Sequence, residues 1–338
     1  MLRWIAAPQN QPIVLMVLSS FLISIGDALV HGFGGQIGIG QIFVMRGLFA
    51  LPLLLLIIRV WGSSLRPHRP GWLVIRSLLM VAMWCLFYMA LPTVGLALAS
   101  AGLYTFPLIL ALLGWMAGTQ SVSRHTIAAL VLGFGGAVMV VQPAGAFSAA
   151  SLLPIGAAAC YALQALITRY RCASESPWTM ALGMNLALAL AGAILLGITA
   201  IGAPINTTNP GIALLAKDWH TPDMSLWLVM AMLAAIAVAG SATMAMAYQN
   251  GDPPTIATFD YTHLLFAAAW GALFFDERIG LMTLGGMIAI ACAGIVTLRH
   301  QRTSPRVTQR PWRAQPARAR EWANRYSGHP IASTSGPL

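Results

Sequence analysis

Ten apolar runs of about 20 residues follow one another along this chain, and they constrain its fold more than any other feature. A helix of that length crosses the roughly 30 Å hydrocarbon layer of a bilayer. Inside lipid only helices and closed barrels satisfy their own backbone groups. The runs lie near 12–30, 42–62, 73–92, 96–117, 125–142, 151–169, 178–202, 225–248, 255–275 and 280–298. Most connections are short; the exception, 203–224, carries Pro204, Asn206, Asn209, Pro210, Lys217, Asp218 and Asp223. The expected fold is an all-α integral membrane protein of ten transmembrane helices. The first run lacks the apolar core and small-residue cleavage site of a secretory signal, and nine more follow it, so it reads as a span.

Charge supports this reading. Only 8% of the 338 residues are charged and 58% are hydrophobic, whereas a soluble domain carries roughly 25% charged residues. Mean hydropathy is +0.75. A soluble enzyme, a disordered protein and a nucleic-acid-binding domain are excluded as the main reading. The net charge of +10 is topological once it is located. With the N-terminus inside, the inner segments hold Arg3, then Arg59, Arg66, Arg69 and Arg76, then Arg124, Arg169, Arg171 and eight arginines beyond residue 298. The outer loops hold Lys217 and Arg278, and Arg46 lies within the second span. The positive-inside bias places both ends in the cytoplasm. The basic tail 299–338 has little periodicity and reads as disordered. It is either a solvated topogenic segment or a site of attraction to anionic headgroups, aided by Trp312 and Trp322.

Cys85, Cys160, Cys172 and Cys292 form no CxxC pair, so neither a disulfide framework nor a zinc site is indicated. HExxH, P-loop, GxSxG and strand-linked GxGxxG signatures are absent from the sequence, which weighs against an ATP-driven pump and the commoner membrane hydrolases. No cofactor and no metal are expected.

The two halves echo each other at an offset of about 157. Tyr104-Thr105 precedes an apolar run, a polar break at Gly118-Thr119-Gln120 and a span with Gly135-Gly136. Tyr261-Thr262 precedes an apolar run, a break at Asp276-Glu277-Arg278 and a span with Gly285-Gly286 and Gly294. Five spans per half force the second half to insert upside down. Inverted five-helix repeats, 12–145 and 146–298, are an architecture secondary transporters use, with the substrate at the interface near the midplane. Gly133, Gly135, Gly136, Gly183, Gly192 and Gly197 read as places of close helix approach.

An ionisable group at membrane depth needs a reason. Asp27 and His31 stand four apart in the first span, Gln41 and Arg46 enter the second, and Asp260 and His263 stand three apart in the ninth. Such pairs share a helical face. One reading is a polar cavity for a charged metabolite or a proton, with Asp260 the coupling acid beside His263. The competing readings are a structural ion pair between Asp27 and Arg46, a helix-end Asp260 wetted from the cytoplasm, and His31 at the outer interface. Tyr88, Tyr104, Tyr261, Trp84 and Trp115 are cavity-lining candidates or interface anchors. Pro107 frees a backbone carbonyl in the fourth span, a place for a kink. Glu277 and Arg278 read as a loop contact.

Gly26-Asp27-Ala28-Leu29-Val30-His31, then Gln41 through Arg46-Gly47, resembles the opening "D-A-x-x-K … q-x-x-x-x-R" of the drug/metabolite transporter superfamily, in its form with two EamA domains. Arg76-Ser77-Leu78-Leu79, Phe87-Tyr88-Met89-Ala90-Leu91 and Leu98-Ala99-Ser100-Ala101 leading to Pro107-Leu108 resemble its third and fourth spans. Phe259-Asp260-Tyr261-Thr262, ending in Phe274-Phe275-Asp276-Glu277, resembles its ninth span and the "G-E" that closes it. His31 stands where a lysine is frequent, Thr119-Gln120 where a glutamate is expected, and Asp276 where a glycine precedes Glu277. The resemblance covers about 12–298. It implies a secondary active transporter of a small polar metabolite (amino-acid, nucleoside or S-adenosylmethionine-like), working by alternating access in a bacterial inner membrane and similar to carriers of S-adenosylmethionine, amino acids and riboflavin. The expected cavity groups are Asp27, Arg46, Tyr104, Asp260, Tyr261 and His263. Proton coupling and exchange both stay open, as do a monomer and a homodimer. The alternatives are an integral-membrane enzyme and a non-transporting scaffold or sensor. The expected partners are the substrate and the lipid bilayer, with no nucleic acid.

Overall fold

The computed structural model describes residues 10–32, 37–60, 65–118, 123–142, 149–200, 219–274 and 280–303. Among these, apart from one short 3-10 turn at Ala149–Ser151, every regular element is an α-helix. They are α1 Gln11–Gly32, α2 Ile39–Val60, α3 Pro70–Leu103, α4 Phe106–Met116, α5 Arg124–Val141, α6 Leu152–Tyr170, α7 Pro177–Ala200, α8 Met224–Asn250, α9 Pro253–Asp260, α10 Thr262–Phe274 and α11 Leu281–Thr303. Leu56, Val74, Leu78, Val131, Leu190, Ile194, Leu228 and Ile288 are each more than half exposed. Water would not tolerate so much apolar surface, whereas lipid does.

Nine helical stretches among the described residues are long and apolar enough to cross a membrane, against ten runs in the sequence. The missing one is the ninth run, which Asp260, Tyr261, Thr262 and His263 make less apolar than the others. It divides at Tyr261 into α9 and α10, of 8 and 13 residues. A second difference concerns the third and fourth runs. Helical hydrogen bonding continues from Pro70 to Leu103, so α3 covers all of the window Pro70–Leu91 and the start of Leu98–Met116. At 1.5 Å per residue its 34 residues would measure about 51 Å, longer than one crossing. Most of the loop 203–224, Thr119-Gln120, Glu277 and Arg278, the His31 side chain and the tail beyond Thr303 lie outside the described residues.

The ends of the helices show why they start where they do. Ser123 and Asp223 cap α5 and α8 by accepting the Thr126 and Leu226 amides at 3.1 and 2.9 Å. Asp252 caps α9, whose first turn holds Pro253 and Pro254; a proline there gives up only an amide that has no helical partner.

Helix pairing is symmetric under exchange of the halves. The extensive α3–α6 contact is matched by α8–α1, and α3–α7 by α8–α2. The contact of α4 with α6 is matched by that of α9 and α10 with α1. Helix α2 packs on its own mate α7, and α4 on α9. Glycines permit the self-paired crossings. A β-carbon on Gly192 of α7 would stand 2.5 Å from the Gly40 carbonyl oxygen of α2, and one on Gly136 of α5 would stand 2.7 Å from the Gly286 carbonyl oxygen of α11. Backbones meet there because no side chain intervenes. By contrast Gly135 and Gly197 face open space, so only some of the glycines are packing positions.

Candidate functional site

The site forms where two helices break at matching positions of the two repeats. Helix α3 ends at Leu103 and α4 begins at Phe106; α9 ends at Asp260 and α10 begins at Thr262. The hydroxyl of Thr105 donates to the Gly102 carbonyl at 2.6 Å, and that of Thr262 to the Phe259 carbonyl at 2.7 Å. These are the same bond in both repeats, at the 157-residue offset seen in the sequence. Each adds a second donor to a carbonyl that already accepts a backbone amide at the break, from Thr105 and from Tyr261. Pro107 therefore lies in the first turn of α4 rather than in mid-helix, and the interruption falls at Tyr104-Thr105. At the two breaks Tyr261 donates its hydroxyl to the Tyr104 carbonyl at 3.2 Å. The Tyr261 ring lies against Gly133 of α5, where a β-carbon would come within 2.6 Å of it.

The second break carries chemistry that the first lacks. Asp260 and His263 occupy the repeat positions of Leu103 and Phe106. Asp260 is buried, 7% exposed. It accepts the Tyr161 hydroxyl of α6 on Oδ2 at 2.9 Å and the Ser20 hydroxyl of α1 on Oδ1 at 3.4 Å. The reading of Asp260 as a helix-end carboxylate wetted by solvent is thereby replaced: seven residues into the span, about 10 Å from Pro253, it is enclosed by both halves. Buried Tyr248 of α8 lies close enough to feel the Asp260 charge, and its hydroxyl has no partner among the described residues.

His263 sits one turn on. Its Nε2 is 3.1 Å from Asp27 Oδ2, with Asp27 about half exposed and His263 mostly covered. The expected structural pair of Asp27 with Arg46 is therefore not formed; the imidazole of α10 takes the carboxylate. Arg46 of α2 is partly buried and makes no hydrogen bond or ion pair among the described residues. Tyr88 and Asp27 lie within its electrostatic reach. Tyr88 stacks on Trp84, with centroids 5.3 Å apart and planes 22° apart, and Phe43 and Phe87 close around Tyr88. The structure thus brings Asp27, Tyr104, Asp260, Tyr261 and His263 into one cluster, with Arg46 beside it. Trp115 is 64% exposed at the end of α4, an anchor position. Gln41 does not face the cluster. Its amide accepts the His220 backbone amide at 2.9 Å and donates to the His220 carbonyl at 2.6 Å, which pins the segment entering α8.

A second polar assembly closes the end of the bundle formed by 65–69, 171–176 and 250–252. Buried Glu175 accepts the His68 and Arg69 backbone amides at 3.1 and 2.6 Å at the start of α3, where a helix favours negative charge. Gln249 donates to the Cys172 and Glu175 carbonyls, both at 2.8 Å, and Arg169 donates to the Gln249 carbonyl. Burial pushes the Cys172 thiol above its usual range. Arg76, which the sequence places among the inner surface charges, is only 2% exposed. Its Nε donates to Thr168 at 2.8 Å, so it braces α3 against α6.

The sequence did not single out Ser20, Tyr161 or Tyr248. Tyr161 stands among Ala157, Ala158, Ala162 and Ala165 on the buried side of α6, and an aromatic hydroxyl amid small residues was the available signal. Among the described residues no group of three or more His, Cys, Asp or Glu side chains could hold a metal ion.

The chain is similar to curated transporters over most of its length. It is 27% identical to the riboflavin transporter of Vibrio cholerae over 243 residues, 70% of this chain and 74% of that one. It is 23% identical to the pseudopaline exporter CntI of Pseudomonas aeruginosa, over 84% of this chain and 95% of that one. It is 25% identical to the threonine/homoserine exporter RhtA of Escherichia coli, over 86% and 93%. A crystal structure superposes with a TM-score of 0.72 at 15% identity, covering 88% of this chain and all of the other, which shows the shared fold. The model of the EamA-like transporter family matches twice, at 10–142 and 148–299. A tandem match over nearly all of the helical region settles the family: the chain belongs to the EamA-like transporter family.

Proposed function

We propose that this chain, a small-molecule transporter, moves its substrate by alternating access between two inverted halves divided near residue 145, with Asp260 as the proton-sensitive group. One observation carries the reading. The Asp260 carboxylate is bonded at once to Ser20 of the first half and Tyr161 of the second, beside a helix break. Protonating it replaces a charge that accepts from both halves by a neutral group, which changes what holds the halves together. Asp27, Arg46, Tyr104, Tyr261 and His263 contact the substrate or relay the proton. The proposed location is a bacterial inner membrane with both termini cytoplasmic. The Glu175–Gln249–Arg169 assembly is then the inner closure, and half-exposed Asp27 faces the outer side. The substrate is a small polar metabolite: an amino acid or riboflavin, as the names of two relatives give, or an S-adenosylmethionine-like molecule, as the sequence resemblance implies.

The test is uptake by sealed proteoliposomes holding the full chain, with and without an inward proton gradient. Saturable accumulation that the gradient stimulates supports the reading. Accumulation indifferent to the gradient but driven by internal substrate makes the protein an exchanger and removes the role of Asp260. Absence of flux for every compound, with folded and inserted protein, overturns the choice of substrates.

A further inference from the structure

We infer that Arg46 anchors a carboxylate of the transported molecule, and that the Trp84–Tyr88 face takes a flat apolar body attached to it. The inference rests on the transport reading above and names the chemical class of its substrate. The nearest carboxylate, Asp27, is already engaged by His263 at 3.1 Å. Arg46, partly buried about two turns inside α2, has no hydrogen bond or ion pair among the described residues. A partly buried guanidinium whose neighbouring carboxylate is already held by another side chain keeps unfilled donors, and these invite a further anion. Its planar fork matches a carboxylate with two parallel hydrogen bonds. A doubly charged phosphate would be repelled more strongly by Asp27 than a carboxylate, so a single negative charge fits best.

The body of the ligand follows from what stands next to the fork. Arg46 lies seven residues inside α2, and Tyr88, within its electrostatic reach, presents a ring stacked on Trp84. Both rings are partly exposed, while Phe43 and Phe87 behind them are buried. A layered aromatic face open on one side receives a ring or a flat apolar chain by offset stacking. A ligand with a carboxylate at one end and a flat group at the other satisfies both features without breaking the Asp27–His263 pair.

The test uses the purified full chain in lipid nanodiscs and four probes that share an indole ring. Indole-3-acetate and L-tryptophan carry a carboxylate; tryptamine and L-tryptophanamide do not. The two carboxylates are expected to bind at least tenfold more tightly by calorimetry. Arg46→Gln should abolish that gap. Arg46→Lys, which keeps the charge and loses the fork, should narrow it, and this variant carries the test where Arg46→Gln does not fold. Trp84→Leu should weaken all indole ligands alike. Equal binding of tryptamine or the amide, a gap that survives Arg46→Gln, or no binding of any probe to folded protein each overturns the inference. The transport reading fails separately, on the absence of flux in sealed vesicles.

Discussion

Tyr261 donates its hydroxyl to the backbone carbonyl of Tyr104 at 3.2 Å, and the two residues are each other's counterparts in the repeat. Their rings lie 6.2 Å apart, centroid to centroid. A hydrogen bond between counterparts lies close to the axis that relates the halves, so the broken helices are tied together at their breaks. Asp260 precedes one of these tyrosines in the chain and His263 follows it by two, which places the titratable groups where the halves meet.

The contact of Tyr261 with Gly133 makes a sharp prediction. Gly133→Ala puts a β-carbon 2.6 Å from the Tyr261 ring, and overpacking of this kind costs about 1–3 kcal/mol. Gly135→Ala, two residues away on a face with nothing within 4 Å, should be neutral or slightly stabilising. Thermal unfolding in detergent of the two variants side by side checks this; equal midpoints would mean that the ring does not pack there.

Asp260→Asn should abolish the stimulation of uptake by a proton gradient while leaving exchange at equal pH measurable. Tyr161→Phe removes one hydrogen bond to the same carboxylate and should lower gradient-driven initial rates about tenfold, as expected for a bond to a charged group. Uptake rates across a pH series, with and without the gradient, read both effects.

The closure around Glu175 should be visible through Cys172, which is fully buried at that end. In a chain whose other three cysteines are replaced by alanine, Cys172 should resist a membrane-impermeant maleimide. Gln249→Ala removes both hydrogen bonds to this loop and should raise the labelling rate at least several-fold. Burial holds the wild-type thiol above its ordinary range, so its labelling should rise only at more alkaline pH. Opening the loop should move that rise to lower pH. Labelling from the cytoplasmic side only would also support the proposed orientation.

Asp223 offers a pH-dependent test of a helix cap. The Leu226 amide and then the Ser225 hydroxyl hold its carboxyl below the usual range. A depressed folded-state value means that the cap stabilises fully above the unfolded-state value, and that this is lost as pH falls through the folded one. Asp223→Ala should therefore melt below the wild type at pH 7 and converge with it in acid. Asp223→Asn, which caps without ionising, should show no such convergence. Melting curves of the three proteins between pH 3 and pH 7 check this.

The repeat was legible because Tyr104-Thr105 and Tyr261-Thr262 preserve their spacing, and the local bonds of Thr105 and Thr262 follow from that spacing alone. The partner of Asp27 was not legible, because Arg46 and His263 are both plausible by sign and depth. Nor was the enclosure of Asp260, whose neighbours Ser20 and Tyr161 lie 240 and 99 residues away.

Hydropathy and charge are sums over local windows, so the sequence by itself determined the membrane class, the apolar runs and the residues that are too polar for lipid. Which of those residues meet depends on how each helix is rotated about its axis and how closely its neighbour approaches. Those are set by side-chain volume at contacts such as Gly40–Gly192 and Gly136–Gly286, where two distant segments must fit together. Only the tertiary structure therefore decided that the ninth run breaks at Tyr261, that His263 and not Arg46 holds Asp27, and that Arg76 is buried as a brace.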